Sequence, residues 1–159
     1  MIYVNKKDKI NEHQHGTKVF VYPRKEDAKI LYQAVVDMGI NKPMDAGEYH
    51  VTVIYSSHPC PDAEYHKINL PMVGFINGWE IFESKLGRCL VALIKSTPIY
   101  NLNKELVHDY GATSNFPEYK AHMTVSWHHV GDKPDSFPIQ SIIFDAYKVD
   151  GLDPNWAPK

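Results

Sequence analysis

The sequence is short of most features that would name a function quickly. Cysteine is scarce: Cys60 and Cys89 stand alone among 159 residues, with no Cys-x-x-Cys spacing. A structural zinc site or a disulfide framework would need such spacing, so neither is expected and both thiols are read as reduced. No apolar run is long enough to span a bilayer, and residues 1–7 lack the apolar stretch and small-residue cleavage site of a secretory signal. A cytoplasmic protein without a membrane partner is therefore expected. Net positive charge is missing too: 17 Lys and Arg against 19 Asp and Glu give −2. That balance speaks against coating duplex nucleic acid through counterion release. A small phosphodiester, which needs only a few placed donors and a stacking surface, stays in play. With 43% hydrophobic and 23% charged residues, residues 1–159 fit one globular domain with a core of ordinary size, read as a monomer.

Along the chain, residues 1–17 are polar and carry His13, His15 and Gly16, which reads as an arm or loop that could serve as a lid. Alternation over 18–22 places Val19 and Val21 on one face of a strand. Pro23 then opens a helix over 24–38, capped by Gly39, with Ala28, Leu31, Val35 and Met38 at helical spacing. Residues 41–47 read as a turn and 57–70, with Pro59 and Pro61, as a surface loop. An extended segment over 72–84, bent at Gly78, pairs with an apolar strand over 88–95 across residues 85–87. A second helix over 98–110 carries Ile99, Leu102 and Leu106 and ends at Gly111. Residues 112–120 and 128–138 read as loops, 140–149 as a last strand, and the tail from 151 as irregular.

Histidine is what the sequence has, nine in all, and two of them sit in matching settings: His50-Val51-Thr52-Val53 and His122-Met123-Thr124-Val125. With nine His and five Thr, chance placement gives about 0.3 His-x-Thr tripeptides, so two of them, each followed by Val, make a motif. The period of a strand puts His and Thr on one face. Val51, Val53 and Tyr55, and likewise Met123, Val125 and Trp127, are expected on the other. The chain also repeats. His50 and His122, Thr52 and Thr124, and Gly39 and Gly111 are each 72 apart, and the same offset matches Val19 with Val91, Val21 with Leu93 and Ala34 with Leu106. A strand, a helix, a Gly cap and a motif strand thus occur twice, as expected of two lobes about a pseudo-two-fold axis. Such an axis brings two imidazoles to one groove, where they can act as base and acid on opposite sides of a reacting centre.

On these residues the chain resembles the 2H phosphoesterase superfamily, defined by two His-x-Thr/Ser motifs, one in each lobe of a duplicated α+β fold. The resemblance spans nearly the whole chain. Within the superfamily, the short length, the run Phe116-Pro117-Glu118-Tyr119-Lys120 before the second motif and an aromatic at Trp79 look most like the phage anti-CBASS nucleases. Those enzymes cleave cyclic oligonucleotides that bacteria use as antiphage alarm signals, and would act in the host cytoplasm. The resemblance implies an α+β fold of two antiparallel sheets around a central cleft, helices outside. It further implies hydrolysis of 3′–5′ phosphodiesters without metal or other cofactor. His50 and His122 would exchange protons with the 2′-OH and the departing 5′-oxygen, and Thr52 and Thr124 would hold non-bridging phosphate oxygens.

Three further residues are candidates for substrate binding. Trp79 could stack a nucleobase, Tyr22 could bond phosphate or ribose, and Asp150, with Asp153 as alternative, is the nearest candidate for the acidic residue that relatives use near the C-terminus, without a clear motif around it. Each has a plainer structural reading, as core, half-buried packing and turn residue respectively. Lys120 reads as a solvated surface residue, and the adjacent pair His128-His129 cannot share one ion from a strand. Two rival functions remain: a phosphodiesterase acting on RNA ends or 2′,3′-cyclic phosphates, and a module that binds cyclic nucleotides without cutting them. Two complete proton-transfer motifs argue against the second.

Overall fold

The computed structural model describes residues 12–84, 87–113 and 118–153. Its elements are β1 (Thr17–Pro23), α1 (Lys25–Asp37), β2 (Val51–Ser56), β3 (Met72–Ser84), β4 (Gly87–Lys95), α2 (Thr97–Tyr110), β5 (His122–Ser126) and β6 (Ser141–Gly151). Residues 1–11 of the expected arm, turn residues 85–86, Phe116 and Pro117, and the tail from Pro154 lie outside the described residues. The described part of the arm is anchored to the body: Glu12, Gln14 and His15 are exposed, but His13 is buried and bonds Thr17 Oγ1 at 2.8 Å. Gly16, at φ +124°, lies where a Cβ would strike the Ser56 carbonyl. The expected loop 57–70 holds a 3₁₀ turn, Pro61–Tyr65, whose Ala63 is buried and whose carbonyl accepts from Tyr147 Oη at 2.8 Å. Among the described residues no helix is long and apolar enough to cross a membrane.

The strands pair antiparallel in the order β2-β1-β6-β3-β4-β5. The α+β class and the duplication are as expected, but the two lobe sheets are joined. Met72–Phe75 of β3 pair with Ser141–Phe144 of β6, which makes one six-stranded sheet of two three-stranded halves. The order reads alike from either end, so the pseudo-two-fold passes between β6 and β3. Beyond that short ladder β6 pairs with β1 and β3 with β4, and the halves part.

The repeat extends to irregularities of register. In β1–β2, Val19 faces Ile54 and Phe20 faces Thr52, leaving Val53 as the extra residue of a bulge; in β4–β5, Leu90 faces Ser126 and Val91 faces Thr124, leaving Val125. Asp145 of β6 and Asn77 of β3 are the matching extra residues on the inner strands. The repeat is therefore 72 in the motif strands but 71 between β1 and β4, so Phe20 and not Val19 corresponds to Val91. A bulge shifts the phase of everything after it. Tyr55 accordingly turns to the His-Thr face, contrary to the plain alternation, and Ser126, not Trp127, lies opposite Leu90.

Each helix buries one stripe: Ala28, Leu31 and Val35 from α1, and Ile99, Leu102 and Leu106 from α2. These join Val21, Val51, Ala92 and Met123 in one apolar core, each large side chain contributing about 1.5–3 kcal/mol. The stops are those the spacing predicts, with Gly39 at φ +71° and Gly111 at φ +68°, a left-handed conformation that glycine adopts freely. Ser96 starts α2 by accepting from the Ile99 amide at 3.3 Å.

The motif strands β2 and β5 are the two sheet edges, where carbonyls and amides lack strand partners. Each is closed by the opposite half of the chain. Met44 N donates to the Val125 carbonyl at 2.8 Å, and Ser126 Oγ to the Asn41 carbonyl at 2.6 Å. On β2, Asn103 Nδ2 of α2 donates to the Val53 carbonyl at 2.9 Å and Tyr119 Oη to the Thr52 carbonyl at 2.8 Å. Asn103 is buried, so Asn103→Leu keeps the branched shape and strands a carbonyl. The expected loss is about 1–3 kcal/mol, read as a lower midpoint in urea; an unchanged midpoint would mean that the Asn103 bond does not hold the two halves together.

Candidate active site

The register fixes which side chains share a face. Thr52 lies opposite Phe20, which lies opposite Lys148; Thr124 lies opposite Val91, which lies opposite Glu80. Both rows are on the side away from α1 and α2, because the neighbouring rows, Val51–Val21–Tyr147 and Met123–Ala92–Trp79, belong to the helix-covered core. His50 and His122, two residues before the threonines, fall on the same open side. Tyr119, three residues before His122, donates to the carbonyl of Thr52, so the approach to the second motif lies directly on the strand of the first.

Both imidazoles are held alike. His50 Nδ1 is 2.9 Å from the Glu48 carbonyl and His122 Nδ1 is 2.7 Å from the Lys120 carbonyl. A carbonyl only accepts, so Nδ1 carries a proton in each ring. One edge of each ring also packs on an aromatic: Phe20 at 4.6 Å between centroids for His50, and Phe82 at 4.7 Å for His122. Ring orientation is thereby set from two directions.

The walls differ between lobes. Around His50 stand Tyr22, with its ring centroid 6.1 Å away, and Tyr55, which shares a hydrogen bond with Thr52. Burial pushes both phenols up, and for Tyr22 Lys148 pulls the other way while Asp150 and Glu48 add to the rise. Lys148 Nζ pairs with Asp150 at 3.3 Å on the same face. Tyr22 and Asp150 are thus brought to the His50 side, while Asp153 is exposed beyond the end of β6. On the His122 side Leu93 replaces Tyr22, and Glu80 pairs with Lys120 at 3.5 Å.

Trp79 is a correction to the expected stacking role. The extra residue Asn77 inverts the phase of β3, so Trp79 points into the helix-side core, 4% exposed, with Nε1 donating to the Ser136 carbonyl at 2.8 Å. Lys120, read as merely solvated, supplies the carbonyl for His122 and an ammonium for Glu80. Among the described residues no cluster of three or more His, Cys, Asp or Glu is placed to hold a metal, and His129 is buried with Nε2 donating to the Asp132 carbonyl at 2.8 Å. Sequence reasoning missed Phe20, Tyr55, Phe82, Glu80, Lys148 and Tyr119. Phe20 was within reach, since a strand with Val19 and Val21 inward must show Phe20 and Tyr22 on its other face.

Solved structures share this architecture. TT0787 of Thermus thermophilus is 14% identical, with a TM-score of 0.52 over 84% of this chain and 83% of that one. LigT of E. coli complexed with ATP is 11% identical, with a TM-score of 0.55 over 87% and 86%. LigT complexed with 3′-AMP is 10% identical, with a TM-score of 0.53 over 84% and 85%. At such identities the likeness carries the fold alone. No curated protein sequence matches the chain. The family described as anti-CBASS protein Acb1 matches residues 15–159, nearly the whole chain and both motifs; the protein belongs to that family and is a phosphodiesterase of the 2H type.

Proposed function

We propose that the protein opens cyclic di- or trinucleotide signals such as 3′3′-cGAMP at a 3′–5′ phosphodiester, and so silences CBASS antiphage signalling. The observation that supports this reading is the matched pair of Nδ1–carbonyl bonds, which orients both motif rings alike, on strands tied to each other by the Tyr119 bond to the Thr52 carbonyl. One Nε2 takes the proton of a ribose 2′-OH as that oxygen forms its bond to phosphorus. The bond from phosphorus to the 5′-oxygen breaks, and the protonated Nε2 of the other ring gives its proton to the leaving oxygen. Thr52 and Thr124 donate to the non-bridging oxygens where charge grows. The first product carries a 2′,3′-cyclic phosphate; water then adds with the two rings in exchanged roles and leaves a linear 3′-phosphate.

Three outcomes test this. His50→Ala and His122→Ala should each lower kcat by about 10²–10⁴ without unfolding the protein, and activity should survive a strong chelator. Loss on chelation with recovery on adding zinc or manganese would overturn the metal-free mechanism. A substrate with 2′-deoxyribose at the scissile position should bind and resist cleavage; efficient cutting, or a 5′-phosphate product by mass spectrometry, would make water the nucleophile. Tyr119→Phe should lower kcat with little change in KM, because it removes only the hydroxyl that bonds the Thr52 carbonyl and keeps the ring; equal loss in both parameters would assign the hydroxyl a binding role instead.

A further inference from the structure

On the His122 side a pocket of about 380 Å³, bounded by Asn77, Glu80, Leu93, Tyr100, Tyr119 and Lys120, opens in lobe two. It adjoins the reacting centre twice over: Leu93 is the register partner of His122, and Lys120 supplies the carbonyl that orients His122 Nδ1. The volume suits one nucleoside and is too small for a whole cyclic dinucleotide. Tyr100 offers a ring at its edge, and Asn77, thrown out of the ladder by the bulge, offers an exposed amide.

What singles the pocket out is the side-by-side pair of Glu80 and Lys120, Oε1 to Nζ 3.5 Å. A carboxylate accepts at both oxygens, so this ion pair leaves Oε2 as a further acceptor, and an ammonium has three protons to give. The wall therefore shows an anionic acceptor beside a cationic donor. Guanine carries the complement on one edge, the donors N1–H and N2–H beside the acceptor O6. Adenine turns the lone pair of N1 toward such a carboxylate, and uracil flanks its single N–H with two carbonyls, so both meet repulsion there. The pseudo-symmetric place in the other lobe has Lys148 where Glu80 stands and Tyr22 where Leu93 stands. That half can hold a nucleotide but cannot read it in the same way.

We propose that this pocket reads the guanine edge of a mixed-purine cyclic dinucleotide, with Glu80 accepting from N1–H and N2–H and Lys120 donating to O6. The inference rests on the reading of the protein as a cyclic-oligonucleotide phosphodiesterase and names the base that its second half selects. The test compares kcat/KM for 3′3′-cGAMP and 3′3′-cyclic di-AMP across the wild-type, Glu80→Gln and Lys120→Met proteins, with calorimetric binding of GMP and AMP alongside. The wild type should favour the guanine-containing substrate and GMP by roughly 10–100-fold, the worth of a charged hydrogen-bonded pair, and Glu80→Gln should lose most of that preference. An unchanged preference in Glu80→Gln, or equal losses on both substrates, overturns it. If the wild type cuts neither cyclic dinucleotide yet binds GMP in a Glu80-dependent way, the substrate reading fails and the pocket stands. If it cuts both equally and binds GMP and AMP alike, the pocket assignment fails and the substrate reading stands.

Discussion

A sheet edge leaves carbonyls and amides without strand partners, and in this protein both edges are the His-x-Thr strands, β2 and β5. Everything else follows from how those edges are closed. Neither lobe covers its own: the Val125 carbonyl takes its hydrogen bond from Met44, and the Val53 carbonyl takes its from Asn103. Each lobe is thus incomplete without the other. The same bonds that satisfy buried backbone groups bring two His-x-Thr strands, 72 residues apart in sequence, to one site.

Symmetry supplies the frame and stops there. The two histidines receive the same carbonyl, two residues upstream, and the same kind of aromatic support. The groups beyond that differ: Tyr22, Tyr55, Lys148 and Asp150 stand on one side, whereas Leu93, Glu80 and Lys120 stand on the other. The duplicated backbone therefore fixes the two rings alike, and the substitutions on it make the two walls chemically unequal.

Much of this was legible in the residues. The helices, their glycine stops, the duplication and the four motif residues follow from periodicity and spacing, because helix caps and alternation are local effects. The bulges were not legible. Val53 and Val125 are ordinary strand residues, and the extra residue of a non-glycine bulge has no local signature; it is set by how the paired strand and the closing lobe fit. That one omission accounts for both errors of face. The bulge at Val53 brings Tyr55 to the site, and the one at Asn77 removes Trp79 from it. The slip of the offset from 72 to 71 between β1 and β4 has another source, because the bulges are matched in the two halves: the connection from Val91 to Thr124 is one residue longer than that from Phe20 to Thr52.

The division of anchoring between lobes bears on how the site can open. Each imidazole is oriented by its own lobe, through Glu48 or Lys120 and through Phe20 or Phe82, while the carbonyls around each threonine are bonded by the other lobe. The lobes are joined by a short ladder, Met72–Phe75 against Ser141–Phe144, by one shared apolar core, and by hydrogen bonds such as Thr113 N to Ser56 Oγ at 2.9 Å. Parting them would break the edge bonds from Asn103, Tyr119 and Met44 but would leave both rings as they are. Acid and base would then be lost as a pair through separation and not through rotation.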